Sequence, residues 1–268
     1  MRLKITLISL LSILISCHSE INAKNNKRDI DVDLNTEINY IELSAKLLEN
    51  LIQNNETTSI QAQLATVTVE ELSNQLTNDT EKKAFWINVY NAHIQIILKE
   101  NPDLYQDRGA FFKKKQITVA GEILSFDDIE HGIIRGSTIK LSWGLLKNPF
   151  VGQYERTFRT NETDPRIHFA LNCGAKSCPL VAVYQVDNFE DKIDAVAKKF
   201  LLKETSYKDD LNQVLVTPLF SWFRGDFGGK SGVIQFLKSY SLIPSESNPE
   251  LVFLDYDWKL SLGNYYAE

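Results

Sequence analysis

Fifteen consecutive residues, Ala84 to Leu98, contain no Asp, Glu, Lys or Arg. The run reads Ala84-Phe85-Trp86-Ile87-Asn88-Val89-Tyr90-Asn91-Ala92-His93-Ile94-Gln95-Ile96-Ile97-Leu98, with apolar side chains on most sides of a helical projection. A helix made of it has no face suited to water, so the rest of the fold must wrap around it. Its ends are marked as well. Asn78 with Glu81 forms a capping-box pattern, and Pro102 bars continuation at the far end. Asn88, Asn91 and Gln95 fall three and four apart, on one stripe. A buried amide without a partner costs about 1–3 kcal/mol. The simpler reading is that these amides pin neighbouring backbone; the sharper one is that Asn88 or Asn91 orients a reacting group or donates to an oxyanion. His93, beside the stripe, reads as a packing residue.

The remaining pattern surrounds that helix with short elements. Thr36 is placed to cap a helix carrying Ile38, Ile41, Ala45, Leu48 and Ile52, and Thr68 with Glu71 to cap a shorter one holding Leu72 and Leu76. Residues 116–126 read as a hairpin turning near Ala120-Gly121-Glu122. Ser125 with Asp128 then starts a short helix that contains Glu130 and His131. Residues 166–172 alternate like a strand, with Ile167, Phe169 and Leu171 on one face and His168, Ala170 and Asn172 on the other. Asp187 with Glu190 suggests the start of a helix bearing Phe189, Ile193, Val196 and Phe200. A strand near 214–217, a helix near 231–240 and a strand near 251–256 complete the chain. Without a strict β-α-β rhythm, this predicts an α+β fold. It is a mostly helical single domain over residues 36–268 with a small, largely antiparallel sheet.

The N-terminus carries a different message. Arg2 and Lys4 precede an uncharged apolar run from Ile5 to Ser16, which ends at Cys17. Twelve helical residues cover only about 18 Å, against about 30 Å for a hydrocarbon core, so this is a signal peptide pattern rather than a span. Leu14-Ile15-Ser16-Cys17 resembles a bacterial lipobox. The expectation is a cleaved leader over 1–16, a lipidated Cys17, and a polar tether over 17–35 that holds the domain to a membrane of the cell envelope, periplasmic or surface-facing. Losing residues 1–16 removes two of the 29 basic residues and none of the 35 acidic ones, so the net charge moves from -6 to -8. An acidic chain gains nothing from phosphate backbones, which argues against a nucleic-acid partner.

With Cys17 assigned to lipid, Cys173 and Cys178 remain. They bound a Gly-containing turn in Arg166-Ile167-His168-Phe169-Ala170-Leu171-Asn172-Cys173-Gly174-Ala175-Lys176-Ser177-Cys178-Pro179. Three readings stay open. The pair forms a disulfide stapling the loop, as suits an exported protein. Alternatively it supplies a thiol nucleophile or redox pair activated by Lys176 or a histidine. Last, it joins histidines around zinc, although neither a paired-histidine helix nor a second cysteine pair is present. Asp127 lies four residues before His131 and can orient it; Glu130 points about 100° away on a regular helix. Gly225-Asp226-Phe227-Gly228-Gly229-Lys230-Ser231 imitates a phosphate loop, but Arg224 stands where that motif needs glycine. No cofactor pattern is found.

Taken in order, several segments resemble the family catalogued as domain of unknown function number 547. They are Ala84–Ala92, Phe126-Asp127-Asp128-Ile129-Glu130-His131-Gly132-Ile133-Ile134-Arg135-Gly136, His168–Pro179, Phe220-Ser221-Trp222-Phe223 with Asp226-Phe227, and Leu254-Asp255-Tyr256-Asp257-Trp258. The resemblance spans roughly residues 70 to 260. It departs at Pro179-Leu180, where many members look like Cys-Pro-Pro. It implies an envelope protein, and the joining of related domains to glutaredoxin-like domains implies thiol chemistry. It carries over no catalytic residues. The leading expectation is a cysteine-dependent hydrolase, acyl-transfer or thiol redox enzyme. Cys178 or Cys173 is its nucleophile, His168 or His131 its base, Asp127 or Glu130 the orienting carboxylate, and Asn88 or Asn91 a polar contact, all in one partly open pocket. The rival is a non-catalytic binding or scaffold module with the two cysteines joined. Neither names a substrate or protein partner.

Overall fold

The computed structural model describes residues 38–267. The leader, Cys17, the tether and Thr36 lie outside these residues. Among the described residues, no helix is long and apolar enough to cross a membrane.

The uncharged run forms the middle of α4 (Asp79–Glu100), with Asn78 and Glu81 making the reciprocal capping box. Phe85, Trp86, Ile87, Val89 and Ile94 are wholly buried. Before α4 come α1 (Tyr40–Ile52), α2 (Thr58–Thr66) and α3 (Val69–Gln75). The cap of α1 is Asn39, whose side chain accepts from the backbone N–H groups of Ile41 and Glu42. The start inferred from Thr36 is therefore three residues early. Thr68 and Glu71 form their capping box on α3. Helix α1 packs along α4. After α4, a 3₁₀ turn opens at Pro102 and leads to α5 (Arg108–Lys113). The expected hairpin follows: β1 (Ile117–Val119) pairs antiparallel with β2 (Glu122–Leu124), pairing Ile117 with Leu124.

A π-helix spans Asp128–Ile134, and α6 covers Gln153–Phe158. The stretch expected as a strand, 166–172, is instead a 3₁₀ turn over Pro165–Phe169 followed by loop. Pro165 sets the first φ, and Asp164 accepts from the Arg166 N–H to start the turn. A short 3₁₀ turn, Val186–Asn188, precedes α7 (Phe189–Glu204), so Asp187 does not cap that helix. Strand β3 (Ser206–Lys208) pairs antiparallel with β4 (Gln213–Val216), and β4 pairs parallel with β5 (Glu250–Phe253). Between β4 and β5 lie α8 (Leu219–Trp222) and α9 (Gly229–Ser239). Among the described residues the fold is α+β and mostly helical, with two small sheets.

Two buried clusters organise the interior. The larger surrounds α4 and takes in the hairpin, the π-helix, and Ile193 and Val196 of α7. The smaller joins Phe200 and Leu201 of α7 to β4, α8, α9 and Phe169. Ile167 belongs to the first cluster and Phe169 to the second. The 3₁₀ turn therefore carries His168 along the seam between them.

Candidate functional site

A cavity of about 430 Å³ opens at this seam. Its walls are mostly apolar: Phe112, Leu141, Trp143, Leu171, Leu219, Trp222, Phe223 and Trp258. Its polar groups are Asp127, Glu130, His131, His168, Lys140, Tyr90, Tyr256 and Cys173.

Asp127, Glu130 and His131 arrive together because of the π-helix. Ser125 and Asp128 cap its start, Ser125 Oγ accepting from the Asp128 N–H and Asp128 accepting from the Ser125 N–H. The turn then widens: the N–H of Arg135 donates to the Glu130 carbonyl and that of Ser137 to the Gly132 carbonyl, both five residues back. Such bulges often mark functional sites. His131 Nε2 lies 3.8 Å from Asp127, and Glu130 accepts from the Tyr90 O–H at 3.3 Å. Lys140 pairs with Asp127 at 2.7 Å.

The two histidines are held through a fully buried arginine. Arg135 Nη1 donates to His131 Nδ1 at 2.8 Å, and its Nε and Nη2 grip both oxygens of Asp226 at 2.7 and 3.1 Å. Asp226 also meets His168 Nε2 at 2.7 Å. A guanidinium only donates, so His131 Nδ1 must accept and the proton of the neutral ring sits on Nε2. Burial, reinforced by the Arg135 charge, pushes the His131 pKa down to about 3. Burial alone would raise Asp226; hydrogen bonds from His168 and Arg135 outweigh it and hold the carboxyl down to about 2. Burial lowers the pKa of His168 against the pull of Asp226. His168 therefore donates Nε2–H to an ionised carboxylate, which leaves Nδ1 as its basic nitrogen. His131, with Nδ1 occupied and Nε2 protonated, is a donor rather than the base its sequence position suggests.

Cys173 and Cys178 are joined as a disulfide. Cys173 lines the cavity, whereas Cys178 is 7% exposed and lies behind it. The Cys178 sulfur accepts from the backbone N–H of Cys173 at 3.0 Å and the N–H of Ala175 at 3.3 Å, and the Tyr256 hydroxyl lies 3.2 Å from Cys178 Sγ and 3.3 Å from Cys173 Sγ. The loop itself is fixed by backbone. Asn172 accepts from the Gly174 N–H and donates to the Pro179 carbonyl, and Gly174 takes φ +84° where an added Cβ would approach Leu98. A C-terminal strap finishes the support: Lys176 N–H donates to the Lys259 carbonyl and Ser261 N–H to that of Gly174. Lys176 is exposed and turns to Asp257 at 3.4 Å, away from the sulfurs.

The amides of α4 stand apart from this cavity. Asn88 donates to the Tyr184 carbonyl and accepts from its N–H; Asn91 donates to the Ala170 carbonyl and accepts from the Asn172 N–H. The expectation that one of them lines the pocket does not hold, because both ends of each amide are spent on backbone. Gln95 likewise accepts from the Gly263 N–H. His93 bonds the Val89 carbonyl within its own helix. Among the described residues, no three His, Cys, Asp or Glu side chains converge to hold a metal. Arg135, Asp226, Tyr90 and Tyr256 were not singled out as site residues by their spacing, although all four fall in segments that carry the family resemblance.

Residues 73–201 match the family model described as "Protein of unknown function, DUF547". That span takes in α4, the π-helix, His168 and both cysteines; Asp226, Tyr256 and the Trp222 and Trp258 walls lie beyond it. No curated protein and no solved structure matches the chain.

Proposed function

We propose that this chain, which matches the DUF547 family of proteins of unknown function over residues 73–201, is a thiol–disulfide oxidoreductase acting at Cys173–Cys178. One observation carries the reading. The two sulfurs are unequal: Cys173 faces the cavity, and Cys178 receives two backbone N–H donors, with the Tyr256 O–H within reach of both sulfurs. Exchange is fastest when the departing sulfur is the better-stabilised thiolate. Attack at Cys173 makes Cys178 the leaving group, and the donors to stabilise it are already in place.

The substrate class is a dithiol. Its first thiolate attacks Cys173 Sγ; a new S–S bond forms, the Cys173–Cys178 bond breaks, and its electron pair moves onto Cys178. The second substrate thiolate attacks the substrate sulfur of that mixed disulfide and releases Cys173. Two electrons pass to the protein, the substrate becomes a disulfide, and the two thiol protons end on Cys173 and Cys178. Glu130 and Asp127 are the pocket carboxylates able to relay them. Turnover requires a second disulfide compound, which is reduced by the same steps in reverse. The strap and the Asn172 contacts hold the loop without the S–S bond, so reduction does not need to unfold it. As a staple alone, a loop this short contributes only about 2 kcal/mol on the chain-entropy account.

Treatment of the Cys178→Ser variant with glutathione disulfide tests the reading. Cys173 should form a mixed disulfide readily, while Cys178 in Cys173→Ser should react far more slowly. Equal reactivity, or a native disulfide that survives excess dithiothreitol in the folded protein, overturns it. That second result favours a binding module with a structural staple, a reading supported by the strap. The basic start, short apolar run and Cys17 support placing the protein in the cell envelope on a lipid anchor. Cys17→Ser should then release it from the membrane fraction, and unchanged fractionation removes the anchor.

A further inference from the structure

The rim of the cavity carries an unusual surface. Between residues 139 and 150, Leu141 is 87% exposed, Phe150 90%, Leu145 67%, Leu146 61% and Trp143 52%. Isolated exposed apolar residues need no explanation, but a contiguous set does. This set is held outward by defined structure. Ile139 N–H donates to the Leu146 carbonyl, Leu145 N–H to that of Ser142, and Gly225 N–H to that of Trp143. Trp143 takes φ +51°, and the backbone of Gly225 packs so closely against it that a Cβ there would clash. The fold thus builds a closed loop whose apolar side chains stay largely exposed.

We propose that this loop docks the mouth of the cavity on an anionic lipid surface. The charge pattern selects that occupant. The chain is acidic overall, at -6, yet residues 139–150 contain no Asp or Glu. The cations at the patch are Lys140, which pairs with Asp127, and the exposed Arg224, whose guanidinium lies 4.8 Å from the Trp143 ring. Lys147 turns inward to the Arg135 carbonyl and to Thr138 and Thr163. Buried Asp226 is fully engaged by Arg135 and His168. Tryptophan, aliphatic side chains and flanking cations together are the composition of an element that settles at a bilayer interface. A second copy of the same patch fits less well, because a two-fold contact brings two copies of the same cations into one interface and the loop supplies no acid to pair with them. The expected lipid-bearing Cys17 lies only 21 positions before Ile38, which keeps an anchored domain near the same surface. Lys140, Leu141 and Trp143 also line the cavity, so docking sets its opening against the lipid.

The full chain bound to vesicles containing brominated phosphatidylglycerol tests this. The emission of Trp143, taken as the difference from Trp143→Phe, should lose most of its intensity to bromine quenching. The double variant Leu145→Glu with Phe150→Glu should remove that quenching; both side chains are largely exposed, so the fold remains. Brominated phosphatidylcholine should quench less. Absence of Trp143 quenching overturns the proposal, and equal quenching by both lipids overturns its anionic character. A dimer in sedimentation that the double variant dissociates assigns the patch to self-association instead. Neither Leu145 nor Phe150 lines the cavity, so the rate of Cys173–Cys178 reduction by dithiothreitol in detergent should be unchanged in the double variant, which separates failure here from failure of the redox reading.

Discussion

Helix α4 and the π-helix both bury polar side chains in an apolar interior, and they use them in opposite ways. On α4, Asn88 and Asn91 face segments far away in sequence and spend donor and acceptor alike on single backbone stretches, at Tyr184 and at Ala170–Asn172. On the π-helix, Glu130 and His131 are bonded to other side chains and still front a cavity. Backbone partners are satisfied once and permanently, so such amides fix architecture. Groups that answer mainly to other titratable groups keep a state that can change, and catalysis requires that. The difference shows why two stretches of polar residues in apolar surroundings deserve different functional weights.

The largest expected effect breaks this contrast if it fails. Asn91→Ala orphans the Ala170 carbonyl and the Asn172 N–H, each at about 1–3 kcal/mol, so equilibrium unfolding should show a loss of several kcal/mol. Glu130→Gln keeps an acceptor for the Tyr90 O–H and should cost less than about 1 kcal/mol, while slowing thiol exchange. Comparable losses from the two substitutions would mean that the π-helix is as architectural as α4.

The sequence made one of these regions far easier to read than the other. α4 could be delimited residue by residue, because absent charge, a capping box and a following proline are all local signals. The Asp127–His131 pairing was also legible, since four-residue spacing survives into the bulge at 3.8 Å. The extra width of the π-helix was not, because it depends on where its carbonyls find partners. Residues 166–172 misled for a physical reason. Ile167 and Phe169 face two different clusters with His168 at the seam, so the alternation reflects burial on both sides rather than a pleat. The site was legible as the His168–Cys178 segment, but its partners Asp226 and Tyr256 join from 58 and 78 residues further along. No spacing rule reaches that far.

A smaller effect follows from the protonation states at the seam. His131 is neutral in the fold down to about pH 3, against about 6.5 when exposed. Below pH 6.5 the unfolded chain therefore binds a proton that the folded chain refuses. Stability is complete above that pH and falls as pH drops, by up to about 1.4 kcal/mol per pH unit for this one group. His168 and His93 are shifted in the same direction by burial and steepen the slope. His131→Asn should flatten the decline between pH 6 and about 4, read from urea midpoints at each pH. A slope unchanged by the substitution would mean that His131 is already protonated in the fold, and the Arg135 contact would then need another explanation.

The smallest expected effect concerns a single hydroxyl, and it tests whether the cysteine loop belongs with the π-helix or with α4. If the donors on Cys178 serve only to pack a permanent disulfide, they resemble the α4 amides. If they serve a thiolate, removing one must appear in its titration. Tyr256→Phe keeps the ring and its contacts with Trp222 and Trp258, 5.0 and 4.6 Å away, and deletes only the O–H. A hydrogen bond of about 0.5–1.5 kcal/mol corresponds to roughly one pKa unit or less. In the Cys173→Ser background, the rate of Cys178 alkylation against pH should shift upward by that amount, with mass mapping to separate it from Cys17. Tyr105→Phe is the matched control, because the Tyr105 hydroxyl is buried with no hydrogen-bond partner and touches neither sulfur. It should leave the profile where it was. Coincident profiles for the parent and both variants would place Cys178 with the fixed polar groups of α4, and the closed disulfide would then be architecture.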